Sequence, residues 1–257
     1  KTLFIIYIAC ALMYKFFGTV FEFFCEVRYI CLFIIVLFSC EPDSESIVIP
    51  DSTEFNILSL GDSYTIGEGV CENCNYPNQL IDTLKILNSN DDFYVDIVAQ
   101  TGWSTTALIN NIGNELESNY DVVTLLIGVN NQFWNLSFET YENELIDLLN
   151  ISKSKTKTGD FDDVVVISIP DYAFTPYAQS FSQELRDQIS AEINMYNSFT
   201  QNYCYQNEIS YINITDITRL GLENPELVSV DNLHPSESAY KMFTERILPV
   251  VEQKIYN

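Results

Sequence analysis

Five short runs rich in Val, Ile and Leu, at residues 55–60, 94–99, 122–128, 164–169 and 209–214, punctuate this sequence, and each reads as a buried strand. After each of them apolar residues return at helical spacing. Leu80, Leu84 and Leu87 mark the first helical segment, Leu108, Ile112 and Leu116 the second, and Tyr141, Leu145, Leu148 and Leu149 the third. A fourth runs over residues 180–206 through Leu185, Ile189, Ile193 and Tyr196, and a fifth over residues 235–255. Strand followed by helix, five times over, predicts an α/β protein with a parallel sheet covered on both faces and joined by right-handed crossovers. No repeat of fixed sequence accompanies the alternation, and a 47% hydrophobic content suffices for one globular core. Such sheets bind ligands beyond the carboxyl ends of their strands, where the winding reverses, and the first strand usually borders that point. Chemistry is therefore expected just after Leu60.

Charge narrows the range of partners. Twelve Lys and Arg against 36 Asp and Glu leave a formal net charge of −24. A surface this acidic repels a phosphate backbone, which excludes the usual nucleic-acid binder and disfavours anionic membranes and polyanionic substrates. Seven cysteines are too few and too irregular for a disulfide scaffold, and Cys10, Cys25, Cys31 and Cys40 all precede the first strand. His234 is the single imidazole, so any mechanism that needs one must use it.

The N-terminal segment reads as a targeting signal. Residues 1–39 are apolar and aromatic, but Lys15, Glu22, Glu26 and Arg28 interrupt every stretch of the ~18 to 20 apolar residues that a membrane span requires. From Arg28 onward the order is one cation, an apolar run over residues 29–38, then Ser39 and Cys40, the layout of a signal peptide. Leu37-Phe38-Ser39-Cys40 resembles a bacterial lipobox, with Phe38 where a smaller residue is usual, and implies Cys40 as the lipidated first residue of the mature protein. The expected organisation is a signal peptide over 1–39, the lipidated cysteine and a polar tether over 40–54, and the α/β domain over 55–257. Export to the bacterial cell envelope with a lipid anchor in the membrane follows, the alternatives being a plain secretory signal or an uncleaved anchor. Because Lys1 stands in place of Met and residues 1–27 lack helical or strand order, this segment is expected to hold an extension that is not part of the protein, with translation starting downstream of Lys1, Met13 being a candidate initiator.

Gly61-Asp62-Ser63 follows the first strand, so Ser63 is placed to stand exposed at the rim of the sheet. A serine hydroxyl is a weak nucleophile without a base. Asp231-Asn-Leu-His234 supplies a candidate, its spacing able to bring the Asp231 carboxylate onto the imidazole to fix the tautomer and stabilise the imidazolium. Pro235 suits the first turn of the last helix. Gly102 follows the second strand and Asn130 the third, so the N–H groups of Ser63 and Gly102 and the Asn130 amide can converge on an oxyanion, each worth about 3 kcal/mol of barrier. Taken singly, every one of these has an ordinary structural alternative: a turn sequence, a strand-end glycine, a helix cap, a loop histidine.

Taken together and in order, Gly-Asp-Ser, Gly, Gly-x-Asn and Asp-x-x-His resemble the blocks of the SGNH, or GDSL-type, hydrolase family over about residues 56–247. The resemblance implies a flavodoxin-like three-layer α/β/α sandwich with a five-stranded parallel sheet. It also implies Ser63 as nucleophile, His234 as general base and acid, Asp231 as its orienter, and Ser63, Gly102 and Asn130 as the oxyanion hole. Asn131 stands where many members carry Asp. An ordinary α/β-hydrolase is disfavoured, because Thr65 occupies the second glycine of Gly-x-Ser-x-Gly.

Lesser motifs are absorbed more simply. Cys71-Glu-Asn-Cys74 is read as a local disulfide of an exported protein, in preference to a redox or metal site. No metal is expected, since no second cysteine pair accompanies it. Gly67-Glu-Gly69 lacks the third glycine of a dinucleotide fingerprint, and no cofactor is implied. Trp103, Phe133, Trp134, Tyr172 and Phe174 fall near the same loops, as pocket walls or as sheet-edge cover. The acidic residues are read as solvated surface, with weak calcium binding the alternative. The expected function is an exported serine esterase acting on a neutral small-molecule or carbohydrate ester. The alternatives are a catalytically idle surface lipoprotein of this fold that binds glycans, and a flavodoxin-like nucleotide carrier.

Overall fold

A computed structural model describes residue 13, residues 52–113, residue 116 and residues 118–256. The expected signal peptide, Cys40 and most of the tether lie outside the described residues. The strands are β1 (Glu54–Gly61), β2 (Asp92–Ala99), β3 (Val122–Leu126), β4 (Val164–Ile167) and β5 (Ser210–Ile212). The α-helices are α1 (Ser63–Ile66), α2 (Tyr76–Leu87), α3 (Thr105–Asn111), α4 (Val129–Phe133), α5 (Phe138–Lys155), α6 (Gln183–Gln206), α7 (Thr215–Thr218) and α8 (Glu237–Tyr256).

All four pairings are parallel and the strand order is β2-β1-β3-β4-β5. The chain steps from β1 outward to β2, then back past β1 to β3, so the winding reverses between β1 and β3. Helices α2 and α8 pack together on one face, while α5 packs against both α3 and α6 on the other. This is the three-layer flavodoxin-like arrangement. The interior strands are buried on both faces: Ile57, Leu58 and Leu60 of β1, the whole of β3 and the whole of β4. Each large side chain buried in this way contributes about 1.5 to 3 kcal/mol. Edge strand β2 instead exposes Asp92 and Asp96, whose charge discourages pairing with another chain.

Two expectations about boundaries are corrected. α3 ends at Asn111, because Ile112 turns to an extended conformation and Gly113 follows, so Leu116 is not part of it. Pro235 is not in the last helix. It bridges antiparallel to Val228, and the Ser236 hydroxyl accepts the Ala239 N–H to cap α8 one residue later. Among the described residues no helix is long and apolar enough to cross a membrane.

Candidate active site

The carboxyl ends of β1 and β3 flank the point of reversal, and the polar residues collect there. At Gly61 a Cβ would lie 2.1 Å from Thr65 Oγ1 and 2.5 Å from the Leu126 carbonyl oxygen, so only glycine lets the chain turn into α1 so close to β3. Asp62 caps that turn, accepting the Tyr64 N–H at 3.0 Å, and Ser63 is its first residue.

Ser63 Oγ lies 3.0 Å from His234 Nε2, although the two residues are 171 positions apart. His234 Nδ1 lies 2.7 Å from Asp231 Oδ2. Local structure explains the second contact. Asn232 adopts a left-handed conformation at φ 67°, which folds the segment so that Asp231 Oδ1 accepts the N–H groups of Leu233 and His234 at 2.8 and 2.9 Å. The Ser229 hydroxyl donates to the same oxygen at 2.7 Å. Partial burial raises the pKa of Asp231, but these donors and the imidazole outweigh it and bring the carboxyl down from 3.8 to about 2. The carboxylate is thus ionised and fixed before the ring meets it. Tyr64 packs its ring against the imidazole, centroids 5.0 Å apart.

A pocket of ≈160 Å³ opens onto these groups, with Ser63, Gly102, Asn130 and His234 in its wall and Val129, Phe133, Trp134, Tyr172 and Leu233 as its apolar lining. Phe133 packs edge-on against both Trp134 and Tyr172. Trp103 and Phe174 are not in the wall: Trp103 offers its carbonyl to Asn130 Nδ2 at 2.9 Å, and Phe174 lies under the Arg219 guanidinium. The Asn130 amide nitrogen has a second acceptor, Asp62 Oδ2, at 3.4 Å.

Asn131 is fully buried and holds the start of α3, its Oδ1 accepting the Thr105 N–H at 3.0 Å and its Nδ2 donating to Thr105 Oγ1 at 2.6 Å. Because that hydroxyl already donates to Glu144, an amide fits here where a second carboxylate would lack a proton to share. Cys71 and Cys74 are joined by a disulfide. Their loop bears on the site, since a Cβ at Gly69 would lie 2.3 Å from Ser229 Oγ and 2.9 Å from Asp231 Oδ2. Among the described residues no group of three or more His, Cys, Asp or Glu is arranged to hold a metal ion.

Ser63, Gly102, Asn130 and His234 therefore meet at one pocket with Asp231 behind the ring, while Cys40 lies outside the described residues. Ser229 carries no distinctive sequence signal, being one more serine in a loop. Asp62 stands inside the Gly-Asp-Ser motif, but its complete burial shows only in the structure.

Comparison with known proteins fits this geometry. The chain belongs to the GDSL-like Lipase/Acylhydrolase family, whose model matches residues 59–242. At family level it is a carboxylic ester hydrolase. Its fold is similar to that of a lipolytic G-D-S-L family protein from Veillonella parvula, at 16% identity and a TM-score of 0.60, covering 77% of this chain and 99% of that one. An acetyl xylan esterase from Geobacillus stearothermophilus gives 16% identity and a TM-score of 0.60 over 78% of this chain and 95% of its own. A psychrotrophic esterase from Pseudoalteromonas gives 16% identity and 0.57 over 79% and 99%. The sequence has no match among curated proteins.

Proposed function

We propose that this protein is a serine esterase that hydrolyses neutral carboxylic esters of short acyl groups, carbohydrate acetates among them. One observation carries the reading: the two ring nitrogens of His234 simultaneously meet Ser63 Oγ and Asp231 Oδ2. In this mechanism Nε2 takes the Ser63 proton as Oγ attacks the ester carbonyl, and Asp231 stabilises the imidazolium. The Ser63 and Gly102 N–H groups and the Asn130 amide receive the charge on the carbonyl oxygen. His234 then protonates the leaving alcohol, and water, activated by the same nitrogen, hydrolyses the acyl-enzyme.

The substrate class rests on the pocket. Its ≈160 Å³ falls below the roughly 300–1,000 Å³ of sites for drug-sized ligands, which favours a short acyl chain. No Lys or Arg lines it, which favours a neutral one. The acetyl xylan esterase among the similar structures is consistent with an acetylated carbohydrate. A fluorophosphonate probe should add one mass increment at Ser63, fail on Ser63→Ala and react far more slowly with His234→Ala. A folded wild-type protein that resists the probe would leave an idle glycan binder as the better reading.

The protein is further proposed to be exported and held in the cell envelope by acyl chains on Cys40, on the strength of the Leu-Phe-Ser-Cys sequence. Labelled palmitate should enter the wild type and not Cys40→Ser when each is expressed in a bacterial host; equal labelling of both would reject the anchor.

A further inference from the structure

Asp62 is completely buried, and among the described residues it forms no ion pair with Lys or Arg. The groups facing it are Tyr64 from its own turn, Tyr76 from α2, Tyr240 from α8 and Asn130 from α4, with Asp231 and His234 beyond Tyr64. Burial lifts its carboxyl from 3.8 to about 7, against the N–H of Tyr64, its own N–H and the Asn130 amide, all of which lower it. Capping alone does not account for a carboxyl here, because Asn or Ser would accept the Tyr64 N–H equally well without a buried charge. What the carboxylate adds is its second oxygen. Oδ1 takes the Tyr64 N–H and Oδ2 faces Asn130 Nδ2, so one side chain ties the nucleophile's turn to the amide across the point where the winding reverses.

We propose that Asp62 is a positioning residue that holds the Asn130 side chain with its nitrogen, not its oxygen, toward the oxyanion. This rests on the serine esterase reading. The two ends of an Asn amide are nearly equal in shape, yet only the nitrogen donates, so which end faces the substrate must be set by neighbours. Trp103 O takes one amide hydrogen at 2.9 Å, and Asp62 Oδ2 faces the second at 3.4 Å, a contact long enough for that hydrogen to be shared with an oxyanion. Protonation at Oδ2 turns an acceptor into a donor aimed at a donor and removes one of the two restraints. Substitution by Asn does the same at every pH: its oxygen goes to the Tyr64 N–H and its NH₂ confronts that of Asn130.

The test is a double-mutant cycle on a neutral short-chain ester, with kcat and KM followed from about pH 5 to about pH 9. Asp62→Asn should lower kcat by about tenfold or more while KM stays within about twofold, in keeping with partial loss of an oxyanion donor. In an Asn130→Ala background the same substitution should change kcat less than about threefold. The acid limb of the wild-type kcat profile should carry a step of about tenfold as Asp62 takes up its proton, and that step should be missing in Asp62→Asn. An equal loss in both backgrounds, or no loss in the first, overturns the proposal. Should Asp62→Asn not fold, the Asn130 side-chain amide signals of His234→Ala decide. They must shift as the carboxyl ionises, and signals that stay still across that range overturn it. A wild-type protein inactive on every ester would refute the esterase reading instead, and the amide signals would still report on Asp62.

Discussion

His234 is held from both sides, and the side away from the nucleophile determines what the ring can do. Asp231 Oδ1 takes three donors and leaves Oδ2 for Nδ1–H, which forces the neutral ring to keep its lone pair on Nε2, where Ser63 is. In Asp231→Asn the oxygen would stay with the three donors and the NH₂ would face Nδ1. The ring would then carry its proton on Nε2 and could not accept another there. A fall in kcat of about 10⁴-fold is expected, with the midpoint of thermal unfolding little changed. A loss smaller than about tenfold in steady-state kinetics would remove Asp231 from the proposed mechanism. The pairing of Asp231 with His234 could be read from their spacing, because three residues on one turn are local geometry. The supports could not: the left-handed Asn232 and the Ser229 hydroxyl act through the closed loop, and the burial of Asp62 depends on α2 and α8 arriving from elsewhere in the chain.

Among the elements, what periodicity reports is burial, and boundaries depart from it where burial and pairing part company. The run at residues 94–99 is preceded by two more strand residues, Asp92 and Phe93, because an edge strand tolerates a carboxylate that an interior one would not. The runs at 122–128 and 164–169 continue past β3 and β4, since Ile127 and Ile169 stay buried after leaving the sheet. Those overhangs lead straight into the site: Gly128 opens α4 with Asn130, and Ile169 is followed by the loop to Tyr172. α8 runs through Pro249, a residue that removes one backbone donor and normally breaks a helix. Phe243, Ile247 and Val251 are buried on one face of α8, and their packing holds the helix together across the proline. The short helices α1 and α4 hold too few residues for a periodic pattern. They are visible in sequence only as the motifs Gly-Asp-Ser and Gly-x-Asn, whose positions beside one another follow from the strand order.

For the whole molecule the decisive quantity is charge, and it acts where the pocket does not. The wall of the pocket holds no Asp, Glu, Lys or Arg, whereas the chain carries −24. A bound neutral ester therefore reacts among uncharged groups and His234, while an approaching anionic ester must first cross the field of the surrounding carboxylates. That field reaches ~30 Å at 0.01 M salt but only ~10 Å at 0.1 M. Steering or repulsion of this kind changes encounter and leaves the chemistry of the bound state alone. Two acetate esters of matched leaving-group acidity, one with a neutral and one with an anionic alcohol, separate the two regimes. For the anionic ester kcat/KM should rise several-fold as salt is raised across that interval while kcat holds. For the neutral ester both should stay within about twofold. A salt response equal for the two esters would mean that ions act on the protein itself, and the preference for neutral substrates would then have to come from the pocket wall alone.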